Sequence, residues 1–412
     1  MGTDKAASSP AGSLGISANG RHFVDADLKP VFFLGDTQWE LFRSYSRDEA
    51  LHILRDRQAK GFNAILVMLL GVGMDQLSED AMSRHVNLHG ERPWLHDDPA
   101  RPNEAYFAHI DPIIRLGAET SQTLVVGVYH QWNVDTIPLS KARGWASWVA
   151  ARFRDVPRII WSMYPKATPE YVPVCREIAR GLREGDGGSH LISVHPDPSV
   201  SSSSFIHEEQ WLAFNMIQTC IDYDRIYDAV SSDYARVPVK PVVMAEGAYE
   251  GLEFGKLQSA HHVRKQAWWT HLAGGHHVYG HTDSWMAPRR WTDWLDSSGA
   301  RSMRVFRDVA TSFAGWWDLL PDQALLESGA SSSYGLNVAA RSGTGRWIMA
   351  YLSEPSTVTL QLVSLPSSVA RAEWIDPRSG ERAQTGTLPT ARSRSFSTPA
   401  GWEDALLAVY PA

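Results

Sequence analysis

The sequence predicts an α/β protein, a (β/α)8 TIM barrel followed by a small all-β sandwich. Three observations point there. Short, dense apolar runs alternate with helix-like stretches between about residues 31 and 281. Eight such runs fall within about 250 residues, the length and order of a (β/α)8 barrel. After about residue 320 the texture changes to short alternating runs broken by turn residues, which suits a small sandwich. A doubly wound open sheet is the competing arrangement, but no Gly-rich phosphate loop follows any run.

Residues 1–20 are rich in Ala, Ser and Gly and are expected to form a loose tail. The barrel is expected over 21–321 and the sandwich over 322–412, with the boundary near Pro321. The barrel runs are 31–34, 62–70, 123–129, 158–164, 190–195, 214–218, 242–245 and 276–280. They are continuous rather than alternating, as in strands covered on both faces. Ser46-x-x-Glu49 is a capping box that opens a helix over 47–60, and Gly61 ends it. Residues 103–120, 143–154, 168–183, 222–234 and 259–272 also read as helices. In the second region Val358, Leu360 and Leu362 alternate with Thr and Gln, and 346–352 and 404–410 are further strands. Asp376-Pro377-Arg378-Ser379-Gly380 is a turn between strands.

The 39 basic and 46 acidic residues leave a net charge of −7, which argues against a nucleic-acid partner. Cys175 and Cys220 are too few for a disulfide framework or a Cys-based zinc site and read as reduced. No apolar run is long enough to cross a membrane. The opening MGTDKAASSPAGSLG has no apolar signal region, so a cytoplasmic location is expected. The 17 Trp, 13 Tyr and 13 Phe fit either a large aromatic core or stacking on sugar rings.

In such a barrel the active site forms where the strands end. Strand 1 ends at Asp36 and Trp39, strand 3 at His130 and Trp132, strand 5 at His195 and Asp197, and strand 6 at Gln218. Strand 7 ends at Glu246, and strand 8 at Tyr279 and His281. This rim offers carboxylates, imidazoles, amides and indoles with no basic cluster for phosphate, which suits a neutral, hydroxyl-rich ligand. Glycoside hydrolysis needs two carboxyl groups at the anomeric carbon, and Glu246 is the best-placed one. Asp36, Trp39, His130, Trp132, His195, Gln218, Tyr279 and His281 are candidate substrate-binding residues. The pairs His261-His262 and His276-His277 point in different directions and have no accompanying ligand motif, so neither a metal nor a cofactor is expected. The segment 285–294, with three Trp, is expected to cover the site or pack on the second domain.

Several motifs resemble the apiosidase-like glycoside hydrolases. They are Phe33-Leu34-Gly35-Asp36-Thr37-Gln38-Trp39, Arg101-Pro102-Asn103-Glu104-Ala105-Tyr106-Phe107, Phe214-Asn215-Met216-Ile217-Gln218 and Tyr279-Gly280-His281, in the family's order over roughly 22–320. Tyr334-Gly335-Leu336-Asn337 and the stretch around Asp376 resemble the sandwich that follows this barrel, which carries a collagen-binding label. The resemblance implies a retaining mechanism with Glu246 as nucleophile. It also implies an acid/base Asp closing a Trp-x-x-Gly-Gly-Asp motif on strand 4. Here that stretch is Trp161-Ser162-Met163-Tyr164-Pro165-Lys166, and Lys166 stands where the Asp belongs.

Three readings follow from that departure. Asp197 supplies the proton, with Asp36, Asp135, Glu208 and Glu209 as fallback acids. Or the site acts on a different linkage, with a good leaving group or by another reaction. Or the protein binds glycans without turning them over. Lys166 as a Schiff-base nucleophile competes with Lys166 as a solvated rim residue. Specificity is expected to rest on the loops 71–102 and 282–297.

Overall fold

The computed structural model describes residues 12–72, 86–254, 256–285 and 290–412. Eight parallel strands close on themselves: β1 Leu34–Thr37, β2 Ala64–Met68, β3 Thr123–His130, β4 Ile159–Tyr164, β5 Leu191–Val194, β6 Leu212–Gln218, β7 Val242–Glu246 and β8 His276–Tyr279. β8 pairs with β1, and β6 with β7, so the sheet has no free edge between these strands. Helices follow in turn: α1 Arg47–Ala59, α2 Glu104–Ile114, α3 Leu139–Phe153, α4 Val172–Asp186, the one-turn α5 Ser203–Ile206, α6 Ile226–Tyr234, α7 Ala260–Leu272 and α8 Ser298–Thr311. The fold is the TIM barrel predicted. The capping box that opens α1 is present: Ser46 N–H donates to Glu49 Oε2 at 2.8 Å, and Ser46 Oγ accepts from Glu49 N–H.

Alternation along the strands sorts residues into two faces. Phe33, Ala64, Leu66, Met68, Val125, Ile160, Phe214, Met216, Val243 and Val278 fill the barrel interior. Leu34, Ile65, Val67, Val126, Trp161, Val194, Ile217 and Met244 face the helices. The first run lies a few residues earlier than the strand it predicts. Pro30–Val31 belongs instead to a three-stranded sheet with Gly15–Ile16 and Phe23–Val24. That sheet also corrects the expected tail of 1–20: Gly15 and Ile16 pair with Val24 and Phe23, and residues 1–11 lie outside the described residues. Its purpose is visible in Phe23, fully buried, stacked on Phe33 at 4.8 Å and edge-on to Phe214 at 5.1 Å, where it closes the N-terminal end of the barrel.

Beyond the barrel lie nine antiparallel strands: β9 Leu319–Pro321, β10 Leu326–Ser328, β11 Val338–Ser342, β12 Ile348–Leu352, β13 Thr357–Leu360, β14 Val369–Ile375, β15 Arg382–Pro389, β16 Arg394–Ser397 and β17 Ala405–Pro411. They form a six-stranded sheet (β9-β11-β12-β17-β14-β15) and a three-stranded one (β10-β13-β16) in a sandwich-like pair. The barrel docks on it through α7. Arg264 donates to Asp404 at 2.9 and 3.1 Å and to Glu403 at 2.8 Å, and Lys265 donates to Glu354 at 2.8 Å. Trp268 stacks near Tyr351 at 5.9 Å. No helix among the described residues is long and apolar enough to cross a membrane.

Candidate active site

A hollow of about 300 Å³ opens among the C-terminal strand ends. Its lining includes Trp39, His130, Trp132, Tyr164, Glu246, Tyr249 and Trp285, with Val72, Gln131, Pro198, Cys220, Gly247 and Leu252 completing the described wall. The volume is at the low end for a small-molecule site, room for about one ring and its substituents.

Glu246 reaches the hollow through a β-bulge. Ile217 pairs with Met244 but Gln218 pairs with Glu246, so Ala245 is an extra residue on β7. Val243 and Ala245 both pack into the barrel interior. Strict alternation from there would turn residue 246 toward the helices, and the bulge turns it back inside. The same device acts on β3: Gly127 pairs with Ser162 and His130 with Tyr164, three steps against two. It brings His130 into the lining.

The turn after Glu246 is clamped from α7. Gln266 Oε1 accepts from Ala248 N–H at 2.8 Å, and its Nε2 donates to the Ala248 carbonyl at 3.0 Å. A Cβ on Gly247 would lie 2.0 Å from that Oε1, so a larger residue there would displace the Gln266 clamp. The clamp sets Tyr249, whose hydroxyl accepts from Trp39 Nε1–H at 2.9 Å.

Burial lifts the Glu246 carboxyl to about 7, with a hydrogen bond from Tyr249 acting in the opposite direction. Burial, reinforced by the charge of Glu246, holds the Tyr164 and Tyr249 phenols well above their usual range, so both remain donors. His195 is pushed down to about 4 by burial and is neutral near pH 7. Its Nδ1 lies 2.9 Å from the Pro196 carbonyl, which only accepts, so the proton is assigned to Nδ1. The bare Nε2 faces Glu246 Oε2 at 3.4 Å. Neither atom has a hydrogen-bond partner among the described residues. Two acceptors in that position make a contact, not an ion pair, and favour the protonated carboxyl.

The other expected site residues divide sharply. Trp39, His130 and Trp132 line the hollow, and His195 meets Glu246 from β5. Asp36 does not reach it. With no bulge on β1, Asp36 alternates outward, fully buried, where Gln38 Nε2 donates to it at 2.7 Å and Arg57 Nε lies at 3.5 Å. Tyr279, paired beside it in register, also turns outward and donates to Glu250 at 2.5 Å. Gln218 is off the wall and accepts from the Tyr164 hydroxyl. His281 stacks on Trp294 at 6.2 Å, outside the lining. Asp197 is half-buried one residue before the lining residue Pro198, and its Oδ1 accepts from Ala167 N–H at 2.7 Å.

Of the fallback acids, Asp135 and Glu208 are exposed, and Glu209 is engaged by Arg176 and Trp211. Lys166 is exposed. Val72 belongs to the expected specificity loop 71–102, whereas Tyr249 and Leu252 were not foreseen, because they lie on a loop whose path no periodicity reveals. Among the described residues of the segment 285–294, Trp285 lines the hollow. Trp291 donates to Glu49, Trp294 is buried over Arg57, and 286–289 lie outside the described residues, as do 73–85 of the other expected specificity loop. His261, Glu403 and Asp404 are the described residues clustered closely enough to share a metal ion, at the docking face where Arg264 already pairs with both acids.

No curated protein sequence matches this chain. The profile for "Putative collagen-binding domain of a collagenase" matches residues 320–409. Among solved structures, one titled "Glycoside hydrolase" is similar at 22% identity and a TM-score of 0.86, over 97% of both chains. A glycoside hydrolase family 5 protein from Bacteroides vulgatus is similar at 22% identity and a TM-score of 0.87, over 97% of this chain and 94% of that one. A GH27 β-L-arabinopyranosidase from Geobacillus stearothermophilus matches at 9% identity and a TM-score of 0.55, over 92% of this chain and 96% of that one. At these identities the likeness is one of fold. The profile described as "Apiosidase-like, catalytic domain" matches residues 17–318, well over half of the protein, and the chain belongs to that apiosidase-like glycoside hydrolase family.

Proposed function

We propose that this protein hydrolyses a glycosidic bond with retention, Glu246 acting as nucleophile and Asp197 as proton donor and acceptor. The observation that carries the reading is the Ala245 bulge, which turns a desolvated carboxyl into a hollow of about one ring's volume walled by Trp39, Trp132 and Tyr164. The carbohydrate enters with its anomeric carbon toward Glu246. The ionised carboxylate attacks that carbon, and the bond to the leaving oxygen breaks as Asp197 protonates it. Water then attacks the glycosyl-enzyme, giving its proton to Asp197 and releasing Glu246. Burial makes Glu246 a strong base for a carboxylate, and the Tyr249 hydroxyl holds it in place.

A panel of nitrophenyl glycosides tests this with wild type, Glu246→Gln and Asp197→Asn. Turnover abolished in Glu246→Gln is expected. Asp197→Asn should lose about 10²-fold or more on unactivated glycosides and much less on nitrophenyl ones, whose leaving group needs no proton. Equal activity of Asp197→Asn and wild type on both substrates removes Asp197 from the mechanism. No turnover on a broad panel, with sugar binding retained, favours a carbohydrate-binding relative, the reading suggested by exposed Lys166 in the place of the family's acid.

A further inference from the structure

The hollow is not uniform from floor to mouth. Trp39, His130, Tyr164 and Tyr249 are buried around Glu246, and three of the four carry hydroxyl or imidazole groups alongside its carboxyl. Among the described residues the outer lining is made of the more accessible Trp132, 53% exposed, with Pro198, Leu252 and Trp285, and Gln131 supplies an amide. A blind hollow takes the glycone first and leaves the aglycone at the mouth. Among the described residues of that outer wall, two indoles, a leucine and a proline offer flat and aliphatic surface with one amide, Gln131, for hydroxyls, a lining that suits a flat aromatic ring. A second observation points the same way. Glu246 is the carboxylate among the described lining residues, and Asp197 lies one residue off the wall with one oxygen already held by Ala167. Such a site works best on a leaving group that departs with little help from a proton.

From these two features, and resting on the glycosidase reading above, we propose that the natural substrate is a glycoside of a phenol, its aromatic aglycone packed against Trp132 and Trp285. In the first step a bond forms between Glu246 and the anomeric carbon. The glycosidic C–O bond breaks, its electron pair leaves on the phenolate oxygen, and that oxygen takes a proton from Asp197 or solvent. In the second step water adds to the anomeric carbon, loses a proton to the same acceptor and frees Glu246. No oxidant or further reactant is needed.

The test compares 2-naphthyl glycosides with disaccharides of the same glycone and anomer, in wild type, Trp132→Ala and Glu246→Gln, together with titration of the free 2-naphthol followed by tryptophan fluorescence. The acidity of naphthol speeds both wild type and Trp132→Ala, so the ratio between the two enzymes isolates the rim. The expected result is that Trp132→Ala raises KM for the naphthyl glycoside about 10-fold more than for the disaccharide. Saturable naphthol binding that weakens in Trp132→Ala should accompany it. Equal losses on both substrates, or naphthol binding indifferent to Trp132, overturns the aglycone assignment while leaving the glycosidase reading intact. Turnover unchanged in Glu246→Gln instead overturns Glu246 as the nucleophile, and with it the two-step route drawn here. If no glycoside is turned over, the naphthol titration still decides whether the rim holds an aromatic ring.

Discussion

The ends of β1 and β7 present the same chemistry in opposite settings. Asp36, next to last in β1, is fully buried, and Glu246, last in β7, is largely buried with its side chain 13% exposed; burial raises both, Asp36 to about 6 and Glu246 to about 7. Asp36 faces outward toward α1 and is held by Gln38 and Arg57. Glu246 faces inward, and among the described residues its Oε2 has no hydrogen-bond partner and lies 3.4 Å from the bare nitrogen of His195. One extra residue, Ala245, makes the difference. A buried carboxyl that the fold has neutralised ties elements together, whereas one that the fold leaves with an empty side is available to a ligand.

The largest consequence concerns activity. Glu246→Gln should lower kcat by about 10³-fold or more, while Asp36→Ala should keep its kcat per folded molecule. A matching kcat loss in both would erase the distinction. Stability should show the reverse order. Asp36→Ala leaves the fully buried Arg57 short of a partner and should cost about 3 kcal/mol in urea unfolding.

Glu246→Gln should stabilise the protein at alkaline pH. The folded value of about 7 lies above the 4.5 of an ordinary glutamate. Between those values the folded chain keeps a proton that the unfolded chain has released. Wild-type stability therefore falls as pH rises through this window, and the full penalty is present above it. The variant should gain up to about 3 kcal/mol at pH 8 and little at pH 4, read from paired denaturation curves. A gain independent of pH would mean that residue 246 does not titrate there. The smallest effect sharpens the electrostatics of the site. Tyr249→Phe removes a hydrogen bond that favours the ionised carboxylate, so the acidic limb of the kcat/KM profile should move upward by less than about one pH unit. A downward movement would contradict the role given to that hydroxyl.

Much of this architecture was legible from the sequence because burial on both faces leaves continuous apolar runs, and because Ser46 and Glu49 announce a helix start. The helix Ser298–Thr311 went unread. Its buried Met303, Phe306 and Val309 sit among exposed Arg and Ser, a weak stripe beside the Trp-rich segment that precedes it. The candidate site was legible only as far as strand ends can be listed. Which way each end points depends on register, and the bulges at Ala245 and near Tyr129 depend on pairing between strands far apart in sequence. That is why Asp36 and Tyr279 were expected on the ligand and instead face the helices, while His130 and Glu246 face the hollow. Tyr249 was invisible for a related reason: its position is set by Gln266 on the following helix, not by any spacing from Glu246.

Covalent trapping tests the assignment of Glu246 most directly. An aryl 2-deoxy-2-fluoro glycoside of the preferred sugar, incubated with the enzyme and followed by peptide mass mapping, should add one fluorosugar to the peptide that contains Glu246, and nothing to the same peptide of Glu246→Gln. Hydrolysis of the parent glycoside with inversion, or a label carried by any other carboxylate, would contradict it.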